Sequence, residues 1–162
     1  MSYQKMSLCL WYNYQAEDAA KFYCSIFPNS SMGRISRYGK EGFEFHKKPS
    51  GTVMTVEFSL NGMNFLALNG GAQFVFNEAA SIVVQCETQE EIDHYWNSLT
   101  ENGEEGPCGW LKDKFGVSWQ IVPSILPAYL ADENAERSGR VTAAFLQMKK
   151  FDIEKLREAY LG

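Results

Sequence analysis

Between Val53 and Asn69 the chain carries a pattern that dictates a β-hairpin. Met54, Val56, Phe58 and Leu60 alternate with Thr55, Glu57 and Ser59, and residues two apart share one face of a strand. Asn61-Gly62 follows, a pair favoured in two-residue type I′ turns because both central positions need positive φ. The strand from Met63 to Asn69 therefore folds back antiparallel, and Gly70-Gly71 ends the pairing. A hairpin with one apolar face needs an element laid over that face. The preceding sequence supplies one: Ala16, Ala19, Ala20, Tyr23, Ile26 and Phe27 recur at helical spacing until Pro28 stops the helix.

Around this unit, residues 6 to 12 are apolar on both faces and read as a buried strand, and residues 33 to 39 read as another. A polar, Gly-containing loop then runs through Ser50-Gly51. A second set begins near Ala79. Ser81 to Cys86 is a strand, and Thr88 to Glu91 is a capping box opening a helix with the apolar stripe Ile92, Tyr95, Trp96 and Leu99. Gly103 caps its end. Trp110 to Lys112 and Val117 to Val122 form a hairpin across the turn Asp113 to Gly116. Residues 124 to 162 read as helices: a short one to Leu130, one carrying Val141, Ala144, Phe145 and Met148, and an amphipathic one from Asp152. The class is α+β in a single domain: half one at about 6–71, half two at about 79–123, and a helical tail at 124–162. Only the order of elements repeats between the halves, not the residues.

Composition narrows the partners. The 162 residues are 45% hydrophobic and 22% charged, with a net charge of -5, enough to build one core without staples. The only basic pairs of note are Lys47-Lys48 and Lys149-Lys150, so nucleic acid is excluded as a partner for want of a basic stripe. No apolar run reaches the length of a membrane span. Met1 to Met6 holds no secretory apolar segment, which reads as a cytoplasmic protein. Cys9, Cys24, Cys86 and Cys108 show no metal or redox spacing and read as small buried hydrophobes. Cys108 is the candidate if one is a catalytic thiolate, because it follows a turn. The 14% aromatic content fits a dense core, an aromatic-lined cavity or a dimer interface alike.

Several stretches carry a family resemblance: Phe22-Tyr23 to Phe27-Pro28, Ala67 to Gly71, Phe76 to Ala79, and Gln147 to Lys150. The most specific is Gly106-Pro107-Cys108-Gly109-Trp110-Leu111-Lys112-Asp113 followed by Phe115 to Pro123. Together they resemble the 3-demethylubiquinone-9 3-methyltransferase-like (PhnB-like) family of the vicinal oxygen chelate superfamily, alongside glyoxalase I, bleomycin-resistance proteins and extradiol dioxygenases. The resemblance covers about residues 6 to 151. It implies two βαβββ modules forming a curved mixed sheet around a cavity, with a helical C-terminal extension, commonly in a homodimer. It does not imply one activity, since the fold carries several chemistries. The methyltransferase name finds no support in the residues: Asn13-Tyr14-Gln15 joins the first strand to its helix without the glycines that hold S-adenosylmethionine.

Most enzymes of that superfamily bind a divalent metal through His and Glu. Laid on that pattern, the ligand positions fall at Leu8, at Ala67 or Asn69, at Ser81 and at Gln120. Leucine cannot ligate, and hydroxyls and neutral amides are poor ligands beside imidazole and carboxylate. His46 and His94, the only histidines, read as bystanders. The expectation is therefore no metal and no cofactor.

Alternation then sorts the pocket. If helices cover the convex faces, the concave ones carry Thr55, Glu57, Ser59; Ser81, Val83, Gln85; and Ser118, Gln120, Val122. Glu57 is either a general base whose pKa the cavity raises or a solvated strand residue. Asn69 and Gln120 are candidate substrate-orienting amides. Trp110 either walls the pocket or packs under the hairpin, and Gly70-Gly71 reads as a structural turn. Asn77-Glu78, at the junction of the halves, can cap, bridge a dimer or reach the cavity. The ligand pocket expected is Asn69, Ser81, Gln85, Trp110 and Gln120, in a metal-independent protein that binds or sequesters a small molecule, as the bleomycin-resistance branch does. The alternative is an enzyme using Glu57 or Cys108 with the amides of Asn69 and Gln120. A structural dimer without a ligand is the third reading.

Overall fold

A computed structural model describes residues 5–162. Met1 to Gln4, part of the segment on which the cytoplasmic expectation rests, lie outside the described residues. The chain divides into two compact units, the first ending at Val75 and the second spanning Phe76–Gly162.

The first unit contains β1 (Leu8–Tyr12), α1 (Ala16–Ile26), β2 (Ser31–Arg37), a single-turn α2 (Phe43–His46), β3 (Val53–Leu60) and β4 (Met63–Asn69). Its sheet runs β1-β4-β3-β2, with β1 parallel to β4 and the other pairs antiparallel. The β3–β4 turn is the expected one, Asn61 at φ 45° and Gly62 at φ 83°. Ala16, Ala19, Ala20, Tyr23 and Ile26 bury one face of α1 against Val56, Phe58, Leu60, Phe65 and Ala67. Tyr23 stacks on Phe58 at 6.1 Å, and Phe58 on Phe65 at 5.0 Å. Each such ring contributes roughly 1.5–3 kcal/mol by leaving water. Three features depart from the sequence expectation. The strand read as buried over 6 to 12 begins at Leu8 and leaves Met6, Leu8 and Cys9 exposed. The strand read at 33–39 begins at Ser31, and its loop to Gly51 includes the turn of α2.

The second unit holds β5 (Ile82–Cys86), α3 (Gln89–Thr100), β6 (Glu104–Glu105), β7 (Trp110–Lys112), β8 (Ser118–Pro123), α4 (Leu126–Leu130), α5 (Ala135–Phe145) and α6 (Ile153–Leu161). Its sheet order, β5-β8-β7-β6, repeats the first: a parallel pair, then antiparallel neighbours. Ile92, Tyr95, Trp96 and Leu99 are the buried stripe of α3, and Leu111, Trp119 and Ile121 are among the buried sheet residues. At the start of α3 the Thr88 side chain accepts from the Glu91 N–H, while the Glu91 carboxylate accepts from Glu87 N–H rather than from Thr88. At its end the left-handed residue is Asn102 (φ 59°). Gly103 is required instead by closeness, since a Cβ there would collide with the Lys112 carbonyl. No helix among the described residues is long and apolar enough to cross a membrane.

The cysteine expectation needs correction. Only Cys86 is fully buried, its thiol pushed up to about 12 chiefly by burial. Cys9 is exposed, and Cys24 and Cys108 are half-buried.

Candidate functional site

In the first unit the sheet face away from α1 carries a polar ladder. Ser31 bonds Ser59 at 2.9 Å, Ser36 bonds Thr55, and Arg34 between them grips Glu57 through two bonds of 3.0 and 2.8 Å. The register of β2 shifts between Met32 and Ile35, and that irregularity lets Arg34 reach over the sheet. Gly33 is part of the device, because a Cβ there would come within 3.0 Å of Glu57 Cβ and carbonyl oxygen. The Arg34 hydrogen bonds hold the Glu57 carboxyl below its ordinary value. Glu57 does lie on the face alternation selected, but its pKa moves down rather than up, which disfavours a general base at neutral pH. The pair's stabilisation is therefore present above the ordinary carboxylate range and lost as pH falls through the lowered folded value. Wild type and Glu57→Gln should accordingly differ slightly in stability at neutral pH and converge in acid, as chemical denaturation across pH will show.

Asn69 departs from its expected role. It shares the α1 face with Phe65 and Ala67, is 2% exposed, and both ends of its amide are engaged. Its Oδ1 accepts from Ala16 N–H at 2.9 Å, and its Nδ2 donates to the Val53 carbonyl at 3.0 Å. The first backbone donor of α1, which Gln15 does not cap with its side chain, is thus capped from 53 residues away. Asn69→Ala should cost about 1–3 kcal/mol in chemical denaturation, because it takes the partner from a buried donor and from a half-buried acceptor.

Gly70-Gly71 is the structural turn expected. Trp11 Nε1 donates to the Gly71 carbonyl at 2.8 Å, and a Cβ at Gly70 would run into the Trp11 indole.

The second unit gathers more of the predicted residues. Trp110 and Val83 each pair with Gln120 across neighbouring strands, and Gln85 pairs with Val122. Gln120 Nε2 donates to Ser81 Oγ at 2.9 Å. Ser81, Gln85, Trp110 and Gln120 therefore share the face opposite the buried Trp119 and Ile121. Of these four, Trp110 lines an open pocket of about 350 Å³, together with Leu111, Lys112, Glu78, Glu104 and Glu105, and with Gly106 and Pro107. Lys112 forms an ion pair with Glu78, which raises the lysine's pKa and lowers the glutamate's, the shared hydrogen bond being the main cause in each. Asn77 closes its own turn, accepting from Ala79 N–H at 2.9 Å, and Glu78 is the member of that pair that reaches the pocket. Lys112, Glu104 and Glu105 were missed as site residues. Strand alternation did mark Lys112, two residues from Trp110, whereas the two-residue strand holding the glutamates leaves no sequence pattern.

Cys108 sits at φ 54°, its N–H donating to the Met148 carbonyl at 2.8 Å and its thiol to the Phe145 carbonyl at 3.7 Å. It faces the helical tail and does not line the pocket. His46 Nδ1 accepts from Lys48 N–H, and His94 lies against the Tyr95 ring.

The donor set does not fit a divalent metal. Leu8, Ala67 and Asn69 share the α1 face by pairing parity, while Cys9 and Trp11 occupy the face opposite. In the second unit the corresponding groups are the hydroxyl and amide of Ser81 and Gln120, bonded to each other. Among the described residues no three His, Cys, Asp or Glu side chains come together as a metal site. S-adenosylmethionine fits no better: the turn after β1 has no glycine, and Asn69 takes the first N–H of α1.

Two units of strand–helix–strands, each with a parallel pair followed by antiparallel neighbours, define the vicinal oxygen chelate fold. The family model for 3-demethylubiquinone-9 3-methyltransferase matches residues 4–122, and the chain belongs to that family. The match stops short of Gln147 to Lys150. A putative 3-demethylubiquinone-9 3-methyltransferase, PhnB protein, from Bacillus cereus is 36% identical with a TM-score of 0.64, over 75% of this chain and 100% of its own. The fosfomycin resistance protein FosX from Mesorhizobium loti shares the fold at 12% identity and a TM-score of 0.56, over 82% of this chain and 100% of its own. A FosX mutant from Listeria monocytogenes, complexed with manganese(II) and a dihydroxypropylphosphonic acid, does so at 15% and 0.54, over 80% of this chain and 98% of its own. No curated protein matches the chain.

Proposed function

We propose that this chain binds a small molecule without a metal, on the second unit's sheet face formed by Ser81, Gln85, Trp110 and Gln120. The observation that carries the reading is the pocket of about 350 Å³ beside Trp110, within the size range of small-molecule sites and walled by an aromatic side chain among a few polar groups. Catalysis is the weaker reading. Glu57 is tied up in its ion pair with Arg34 and held below its ordinary pKa, and the Cys108 thiol is directed at the tail's Phe145 carbonyl, where neither is set up as an activated group.

The test is a fragment screen followed by backbone amide shifts. Binding fragments should perturb Ser81, Gln85, Trp110 and Gln120 together. Perturbation confined to the first unit, or none, would remove the reading. A homodimer belongs to the same reading, supported by apolar rings left open in the first unit, Phe45 at 84% and Phe74 at 64% exposure. Sedimentation showing only monomer at every concentration tried would sink that part.

A further inference from the structure

The charge around the Trp110 pocket is lopsided. Among the described residues Lys112 is the one cation lining it, against Glu78, Glu104 and Glu105. Lys112 is already neutralised by its ion pair with Glu78. Glu105 accepts from Trp96 Nε1 at 3.1 Å and faces Lys149 at 3.5 Å. Glu104 stands directly across the strand pair from Lys112, which feels its charge but pairs with Glu78, and it is exposed, with no ion pair of its own among the described residues. The pocket thus presents a negative rim to an aromatic wall. An additional acceptor lies on the same sheet face: Ser118, the cross-strand partner of Lys112, is 2% exposed and its hydroxyl oxygen has no hydrogen-bond partner among the described residues.

Resting on the binding reading above, we infer that this pocket takes an organic cation, an ammonium carried on an apolar body. The apolar part lies against Trp110, whose ring face attracts positive charge. The ammonium faces Glu104, where an anion would meet repulsion and a neutral group would gain nothing from the charge. The indole and the carboxylate act together, because a small cation without an apolar body gains little from the ring and an apolar body without charge gains little from the rim.

Three probes sharing one phenyl ring test this: benzylammonium, benzyl alcohol and benzoate. The whole chain is titrated, the Trp110 indole signal reports location, and saturation transfer observed on the probe reports affinity. Benzylammonium should bind at Trp110 at concentrations where the other two do not, and less tightly as salt is raised. Glu104→Gln should weaken it about threefold and Trp110→Leu about tenfold. Lys112→Gln should tighten it about twofold, since it removes the competing cation. Circular dichroism of each variant verifies the fold. Benzoate or benzyl alcohol binding at Trp110 as well as benzylammonium overturns the cation assignment and leaves the pocket standing. Silence of all three at Trp110 overturns the assignment and the pocket together.

Discussion

Replacing Phe151 with alanine should lower the stability of the chain by about 3–5 kcal/mol and release the loop that walls the pocket. The ring is 2% exposed and packs near Gly109, where φ is 79° and a Cβ would strike both the Phe151 ring and the Ile121 carbonyl. Around it the segment from Met148 to Ile153 is clamped by its backbone. Cys108 N–H donates to the Met148 carbonyl at 2.8 Å, and Gly109 N–H to the Lys149 carbonyl at 2.7 Å. The Gln89 side chain brackets the ring's own residue, donating to the Phe151 carbonyl and accepting from Ile153 N–H, both at 3.0 Å. Lys150 pairs with Asp93 at 2.6 Å.

The two backbone bonds fall on Cys108 and Gly109, flanked by the pocket residues Pro107 and Trp110. The helical tail, which lies beyond the family match at residue 122, therefore holds the wall of the candidate site. With a total stability of the order of 5–15 kcal/mol usual for a domain, Phe151→Ala removes a large fraction of it. Hydrogen exchange separates undocking from general weakening. Exchange at Cys108 and Gly109 amides should accelerate at denaturant concentrations that leave the β3–β4 amides protected. Uniform acceleration across both units would contradict a local clamp.

How much of this was legible in the sequence depends on the range of each cause. Strands β3, β4, β5 and β8 and helices α1 and α3 follow from local alternation or helical spacing, and the structure contains them. The grouping of Ser81 with Gln120 came from the same alternation and is seen as a hydrogen bond. Asn69 enters the expected pocket through its place on the superfamily pattern, although its parity with Phe65 and Ala67 puts it on the apolar face. The partner that makes a buried amide tolerable there, the N–H of Ala16, is remote in sequence and has no local signature. The same holds for Glu57. Its neighbour Arg34 reaches it only through an irregularity in β2, and no periodic pattern predicts an irregularity. The tail's helices were readable, but its docking runs through backbone groups between helices, where side-chain patterns carry no information.

Asp113→Ala should cost about 4 kcal/mol, a second large loss, because one buried carboxylate organises the turn that sets the pocket strands. Asp113 is 3% exposed. Its Oδ1 accepts from Phe115 N–H at 2.8 Å and Val117 N–H at 3.1 Å, and its Oδ2 accepts from Trp119 Nε1 at 2.8 Å. Its backbone closes the same turn: Asp113 N–H donates to the Val117 carbonyl, and Gly116 N–H to the Asp113 carbonyl. Alanine leaves two amides and an indole N–H without that acceptor, two of them among the buried residues Val117 and Trp119. The register of β7 on β8 places Trp110 beside Gln120 and Lys112 beside Ser118, so a loosened turn disorders the ligand face as well as the core. Asp113→Asn divides the two duties. Its carbonyl oxygen still serves the loop amides, but its NH₂ group meets the Trp119 N–H donor to donor, and about half the loss should remain. Urea denaturation gives the stabilities, and Trp119 indole exchange gives the local effect. If asparagine matches the wild type in both, the bond to Trp119 contributes nothing and Asp113 is only a turn residue. If asparagine loses as much as alanine, the carboxylate charge rather than its geometry holds the turn.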